Sequence, residues 1–383
     1  MKKVVILQHR LLHYRLRLFD LLRSDLERHG VELVLVHGQA SRSESHRNDE
    51  GQLNWATKIK NRFVYLGSHE LIWQRMPPCV HGADLYIIMQ ENRILSNYTL
   101  LFSRAVRGIR VAYWGHGRNY QSRSPTGLRE KWKRFLLGKV DWWFAYTDLT
   151  AQHLTDLNFP NTRITNLQNA IDVTGFKRDL QSVTDAELHN LRLQINIQEA
   201  DKVAIFCGSL YPEKKIDLLI SACDLIKKTV PNFKMIVIGA GPSLSTVSEY
   251  ARRKDWVHVM GTRSGKEKAM LFRLAHVQLN PGLVGLHVLD AFSAGLPMIT
   301  TANALHSPEI AYLKQDVNGV ICDGESPEVY STEVIALISD ENRRLRLARQ
   351  SLRDANLYTV ENMVANFTRG ILTCLDQYPA HSK

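Results

Sequence analysis

Residues 280–300 read NPGLVGLHVLDAFSAGLPMIT. The stretch follows an apolar run, places glycines at 282 and 285, carries one carboxylate, Asp290, among apolar residues, and closes on Gly295-Leu-Pro. Strand, glycine loop, helix start and glycine-proline stop is the order of one unit of a parallel α/β sheet. With a helix starting near Gly285, the amides of Val284, Gly285, Leu286 and His287 form an anion site reinforced by the helix dipole. Asp290 lies about one and a half turns further on. A carboxylate there can accept hydrogen bonds from a ribose diol, as acidic residues do in other nucleotide sites. A tight turn followed by a surface aspartate would read the same way, so the rest of the chain must decide.

Working outward, the same unit recurs. Apolar strand-like runs at 203–208, 234–239, 257–261, 277–280, 298–301 and 319–322 alternate with segments of helical period. The first half shows runs at Val4–Leu7, Glu32–Val36, Phe63–Leu66, Leu85–Met89, Arg110–Trp114 and Trp142–Tyr146. Between them, Leu16, Phe19, Leu22 and Leu26 mark a helix face. Alternating strands and helices predict parallel sheets covered by helices. With 383 residues and a strandless polar stretch at about 175–200, the expectation is α/β: two Rossmann-like, doubly wound domains with a cleft between them. The domains fall at residues 1–178 and 200–358. A C-terminal helix over 359–383 is expected to cross back to the first.

Composition narrows the class. The chain is 44% hydrophobic and 23% charged, as ordinary globular proteins are. Its 5 cysteines show no CxxC and no zinc-ligand spacing, which reads as buried thiols in a reducing compartment. The apolar run in MKKVVILQHR is too short for a signal peptide. No run reaches the roughly 20 residues that span a bilayer. A cytoplasmic protein is expected, working at the inner face of the cytoplasmic membrane. The net charge of +11 is lopsided: residues 1–180 hold 27 Lys+Arg against 16 Asp+Glu, and residues 181–383 hold 22 of each. The first half should therefore meet something anionic.

Three further stretches join the opening one. FCGSLYPEKKIDLLISA (206–222) runs from a strand through Gly208 and Ser209 to Lys214, whose ammonium can reach a phosphate as a point charge; two solvated lysines would look alike. IGAGPSLSTV (238–247) turns at Gly239 and Gly241 into a helix, and HSPEIAYLKQDVNG (306–319) opens on Pro308-Glu309. In order and spacing these stretches resemble the nucleotide-sugar-binding half of a GT-B glycosyltransferase. The likeness is strongest to the large retaining family numbered four (glycosyl transferases group 1). That family carries Gly-Arg-Leu-x-x-x-Lys-Gly, Gly-x-Gly-Pro and Glu-x7-Glu ending in Gly-x-Pro. The resemblance covers residues 166–355, beginning with NLQNAIDVTGF (166–176), and the first half matches weakly. Two departures stand out: Ser209 replaces the arginine that binds diphosphate, and Gly282 replaces the first glutamate, which contacts sugar and phosphate. Asp290 takes the place of the second, ribose-binding glutamate.

The resemblance implies transfer of a sugar, with retention, from a nucleoside diphosphate sugar to an acceptor. That acceptor is expected to be lipid-linked, in lipopolysaccharide, surface or exopolysaccharide biosynthesis. Gly208, Ser209, Lys214, Gly239, Gly241, Gly261, residues 284–287 and Asp290 would line the donor site, with base edges read by the Gly261–Ser264 loop. His116, in AYWGHGRN (112–119), would hold the donor sugar and with Lys214 serve catalysis; a structural turn histidine is the alternative. His9, His13 and Arg15, after the first strand, could face an acceptor phosphate or hydroxyl, or form a bland basic helix start. No metal-ligand cluster is present, and no cofactor beyond the donor is expected.

In GLREKWKRFLLGKVDWWF (127–144), Arg129, Lys131, Lys133 and Arg134 interleave with Trp132, Phe135, Leu136 and Leu137. Such a segment can lie on anionic lipid, stack nucleic-acid bases, or simply be an ordinary helix with one solvated face. Weak membrane-surface association is the expectation. No recognised nucleic-acid motif accompanies the charge, so nucleic acid is not expected as a partner. Other readings remain open: a non-catalytic nucleotide-sugar binder, suggested by Ser209 and Gly282, or a different GT-B reaction such as epimerisation. A basic partner for Asp290 would favour the latter.

Overall fold

The computed structural model describes residues 1–45, 49–67, 69–117, 132 and 135–377. The chain divides into two compact units, Met1–Asp172 with Thr359–Lys383, and Val173–Tyr358.

The first unit is built on a seven-stranded sheet. Its strands are β1 (Lys2–Gln8), β2 (Val31–His37), β3 (Thr57–Lys58), β6 (Leu85–Met89), β7 (Val111–Gly115), β8 (Trp142–Ala145) and β9 (Ile164–Asn166). They lie in the order β3-β2-β1-β6-β7-β8-β9, and every pairing is parallel. A parallel sheet needs helices on both faces, which is why β7 and β8 read as continuous apolar runs, buried at every residue. Helix Leu16–Arg28 buries Leu18, Phe19, Leu22 and Leu26 and packs against helix Val360–Gln377. One expected strand is corrected: Phe63–Leu66 belongs to no parallel sheet. Strand β4 (Arg62–Leu66) pairs antiparallel with β5 (His69–Trp73) in a separate hairpin. β-branched and aromatic letters report a strand, not the sheet it joins.

In the second unit all six expected strands form: β10 (Lys202–Cys207), β11 (Phe233–Ile238), β12 (Val257–Gly261), β13 (Val277–Leu279), β14 (Met298–Thr301) and β15 (Gly319–Cys322). Their order is β12-β11-β10-β13-β14-β15, all parallel. The stretch at 175–200, expected to be a linker, is instead largely helical, with Thr174–Ser182 and Asp185–Gln194 counted in this unit. A capping box between Thr184 and Glu187 starts the second helix. Phe176 packs edge-on against Phe272, and Lys266 pairs with Glu187 at 2.7 Å. Polarity there marks solvated helix faces rather than loose chain.

Both sheets reverse strand order beside their first strand, at β1/β6 and at β10/β13. Ligands of such sheets bind beyond the carboxyl ends of the strands at this switch point. Among the described residues no helix is long and apolar enough to cross a membrane.

Candidate functional site

In the second unit, the chain leaves β10 through Gly208 and exposed Ser209, then forms a short turn of 3-10 helix, Pro212–Lys214. That turn folds Lys214 back under the sheet edge, where it is only 3% exposed. Its Nζ donates to the Leu283 carbonyl at 2.5 Å and lies 3.5 Å from Asn280 Oδ1. Both groups belong to the loop after β13, so Lys214 bridges the two sides of the switch point. Among the described residues no carboxylate pairs with it, and burial pushes its pKa down to about 7.

The loop at 280–287 is fixed from several directions. Asn280 Nδ2 donates to the carbonyls of Gly282 and Leu283 at 3.0 and 3.1 Å. Thr301 Oγ1 donates to Pro281 O at 2.7 Å. His306 donates from Nε2 to Thr301 O at 2.7 Å and accepts the Val284 amide on Nδ1 at 3.0 Å. Burial lowers the pKa of His306, in keeping with that neutral tautomer. Two expectations are corrected here. The Val284 amide is already used, and the helix begins at Val288, running only to Ser293. Residues 285–287 form the turn before it. Among the described residues the amides of Gly285, Leu286 and His287 have no protein acceptor. They remain the anion-binding candidates.

The glycines separate into two kinds. A Cβ on Gly282 would stand 2.2 Å from the Glu213 carbonyl oxygen and 2.5 Å from Lys214 Cα. The loop after β13 lies directly on the turn that carries Lys214, which leaves no room for a glutamate at 282 without a backbone shift. A Cβ on Gly239 would meet Gly208 O at 1.9 Å, and one on Gly241 would meet Leu210 O at 2.5 Å. At these two the packing of adjacent loops by itself demands glycine. At Gly285 a Cβ would make only ordinary contacts, so the fold itself does not demand glycine there. Gly261 ends β12 and its carbonyl accepts the Gly239 amide at 2.9 Å.

His287 lies 3.4 Å from Lys214 Nζ. Burial, then the cations Lys214 and Lys268, hold its pKa well below the usual histidine value. Asp290 is mostly buried and pairs with Lys268 at 2.8 Å. Burial pulls the Lys268 pKa down, but Asp290 outweighs it and the net shift is upward. Lys268 and His306 were not legible from the sequence: each acts through a partner distant in the chain, as Asn280 does toward Lys214. Thus Lys214, His287, Asp290 and the 285–287 turn are gathered at one end of one sheet. Ser209 is exposed beside them.

The first unit has its own cluster at β1/β6. His9, just past β1, is buried and lies 3.2 Å from Glu44 and 3.4 Å from Glu91. Arg93, just past β6, contacts Glu91 at 2.7 Å and Glu44 and Glu70 at 2.9 Å each. Arg10 pairs with Asp49. Burial opposes ionisation of Glu44 and Glu91, yet His9 and Arg93 win and both carboxyls sit below their ordinary values. Arg15 is buried too, its guanidinium over the rings of Tyr14, Trp114 and Tyr146 at 5.1, 5.1 and 5.6 Å. Of the three acceptor candidates only His13 is exposed, with Nδ1 3.1 Å from Asp49 O. His116 is exposed after β7 and packs edge-on against Tyr146 at 4.3 Å. The Glu91 and Arg93 positions carried a readable signal, since they directly follow a strand's carboxyl end.

Two doubly wound parallel sheets, one with a buried lysine at its switch point that pairs with no carboxylate among the described residues, define a GT-B-like two-domain protein. Residues 189–353 match the family model described as Glycosyl transferases group 1. It is 23% identical over 236 residues to the D-inositol 3-phosphate glycosyltransferase of Segniliparus rotundus, covering 59% of this chain and 51% of that protein. It is 26% identical over 145 residues to the alpha-monoglucosyldiacylglycerol synthase of Acholeplasma laidlawii, covering 36% of each. The chain thus spans about half or less of these relatives' length. In structure it is similar to Anabaena HepE in complex with UDP, with a TM-score of 0.68 at 13% identity over 97% of this chain and 100% of that one.

Proposed function

We propose that this protein transfers a sugar from a nucleoside diphosphate sugar to a lipid-linked acceptor in surface polysaccharide assembly, with retention, and that UDP is the nucleotide carried. The observation that carries the reading is Lys214. An ammonium buried without a carboxylate is costly, and a ligand bringing negative charge relieves that cost. The leaving diphosphate of the donor sits against Lys214 and the amides of residues 285–287, and Asp290 holds the ribose. The bond from the anomeric carbon to the phosphate oxygen breaks as the acceptor oxygen bonds to that carbon on the same face. The departing phosphate oxygen takes the acceptor proton. Such a reaction needs positioning and charge stabilisation more than a protein nucleophile. His116 holds the sugar. UDP comes from the complex of HepE, and the lipid-linked acceptor is supported by the diacylglycerol named in the Acholeplasma enzyme.

The test is thermal unfolding with UDP, GDP, dTDP, ADP and CMP, for wild type, Lys214→Met and Asp290→Ala. A ligand that binds only the folded state raises stability by about 2.7 kcal/mol at a hundredfold excess over its Kd. UDP stabilising wild type but neither variant supports the donor site. No shift with any nucleotide overturns it. A second reading, epimerisation of the nucleotide-linked sugar, is favoured by the Lys268 partner of Asp290. Incubating the donor without acceptor and following sugar configuration by NMR separates the two.

A further inference from the structure

Helix Leu95–Arg107 buries Ser96, Asn97 and Leu100, yet its outer face is not polar. Phe102 is 69% exposed and Val106 65% exposed, one turn apart. One turn before Phe102, Tyr98 stacks on Trp132 with ring centroids 6.5 Å apart, and Trp132 Nε1 donates to the Tyr98 hydroxyl at 3.2 Å. Trp132 stacks in turn on Phe135 at 5.6 Å. Those two side chains are 48% and 56% exposed. Lys139 caps the row, its Nζ 4.5 Å from the Phe135 ring centre. The neighbouring Leu136 and Leu137 are buried and hold this segment to the unit. The result is a continuous aromatic and aliphatic ridge, with Arg107 and Lys139 at its ends.

We propose that this ridge is a membrane-docking surface that seats the first unit on a bilayer rich in anionic phospholipid. Exposed aromatic residues rarely cluster on a soluble monomer without a partner. Tryptophan and tyrosine with polar tips and apolar rings suit the headgroup boundary. The charge fits as well: the first half carries the whole excess of +11. Among the described residues Arg107 and Lys139 form no ion pair. Phe135 and Lys139 also border a cavity of about 450 Å³. Arg163 and Asp156 line it as well, and Asp156 Oδ1 accepts from Gln152 Nε2 at 2.8 Å. A phospholipid headgroup placed there would meet two cations and one carboxylate beside apolar walls. Arg129, Lys131, Lys133 and Arg134 count in that charge excess but lie outside the described residues, so their placement carries no part of the argument.

This inference rests on the lipid-linked acceptor but concerns a surface that binds no donor, so the two can fail separately. The full chain is sedimented with vesicles of phosphatidylcholine alone or mixed equally with phosphatidylglycerol. Wild type is expected to bind the mixed vesicles, and Phe102→Ser/Phe135→Ser to lose about tenfold or more in partitioning. Lys139→Glu should weaken binding several-fold, and the loss should vanish at high salt. Both variants change exposed side chains, and an unaltered unfolding midpoint and UDP shift will show that fold and donor site are intact. As a control, Val64→Ser/Leu66→Ser removes two exposed apolar side chains of the β4–β5 hairpin and should bind as wild type does. The proposal is overturned if wild type ignores mixed vesicles, if the ridge variant binds equally, or if only the hairpin variant fails. It is equally overturned if wild type forms a dimer that the ridge variant dissolves without any vesicle binding.

Discussion

The β1/β6 and β10/β13 switch points occupy equivalent places in their sheets, but their charges are handled in opposite ways. At β1/β6 the basic groups His9, Arg10 and Arg93 face the carboxylates of Glu44, Asp49, Glu70 and Glu91, so the buried charges satisfy one another. At β10/β13 Lys214 Nζ meets the Leu283 carbonyl, Asn280 Oδ1 and the His287 ring, and among the described residues no carboxylate pairs with it. A closed network fixes loops and asks nothing of a ligand. An open one costs stability unless an anion neutralises it, the role proposed for the donor diphosphate. The difference points to where the fold keeps its binding energy in reserve.

The comparison is broken first by opening the closed side. Arg93→Met should leave Glu44 and Glu91 with only His9 of the two basic partners they share and destabilise the chain by about 3 kcal/mol, read by denaturant unfolding. An unchanged midpoint would mean that solvent already shares those carboxylates. Next in size is the open side. Lys214→Met keeps the stem, removes the charge, and should lower turnover about 10²–10³-fold while abolishing the UDP shift. Unliganded stability at neutral pH should hold or rise, the opposite sign to Arg93→Met.

Gly282→Glu sharpens the contrast from the side of the backbone. It restores the residue the family carries, so a sequence argument expects improved sugar recognition. The 2.2 Å approach to Glu213 O predicts the reverse: a loss of about 1–3 kcal/mol from overpacking, with no gain in turnover. A more active, equally stable variant would show that the loop yields.

How far this was legible differs between the units. Apolar runs between turn residues revealed every strand of the second sheet, and the order of glycines, Lys214 and Asp290 picked out residues that the fold gathers at one end of it. The same signals misassigned Phe63–Leu66, because pairing partners are chosen by tertiary packing. They also put the helix start at Gly285 rather than Val288, since a short helix after a side-chain-braced loop has no cap residue to announce it. Lys268 was invisible: its role depends on Asp290, on another helix. His9 and Arg15 looked available for an acceptor, and nothing local revealed that carboxylates and aromatic rings already surround them.

The last expected effect, the smallest when counted per pH unit, is a dependence on pH, and it separates the switch points by the window in which each acts. Lys214 has a folded pKa of about 7, against an ordinary lysine value of 10.5. Between these values the unfolded chain holds a proton that the folded chain lacks, so stability rises with pH across the window, by up to about 1.4 kcal/mol per unit. Glu44 and Glu91 act on the acid side instead. Their folded pKa values are depressed, so their contribution is present above the ordinary carboxylate range and lost as pH falls through the folded values. Buried thiols complicate the alkaline side. Cys207 is pushed up to about 12 by burial, which lowers stability as pH rises beyond the ordinary thiol value. The readout is therefore the difference between wild type and Lys214→Met, followed by unfolding midpoint from about pH 6 to about pH 10. That difference should grow in favour of wild type above about pH 7. Saturating UDP should remove it, because a diphosphate beside the ammonium restores its ordinary pKa and leaves both states protonated alike. A difference that persists unchanged with UDP would place the nucleotide away from Lys214 and return the open switch point to a purely structural role.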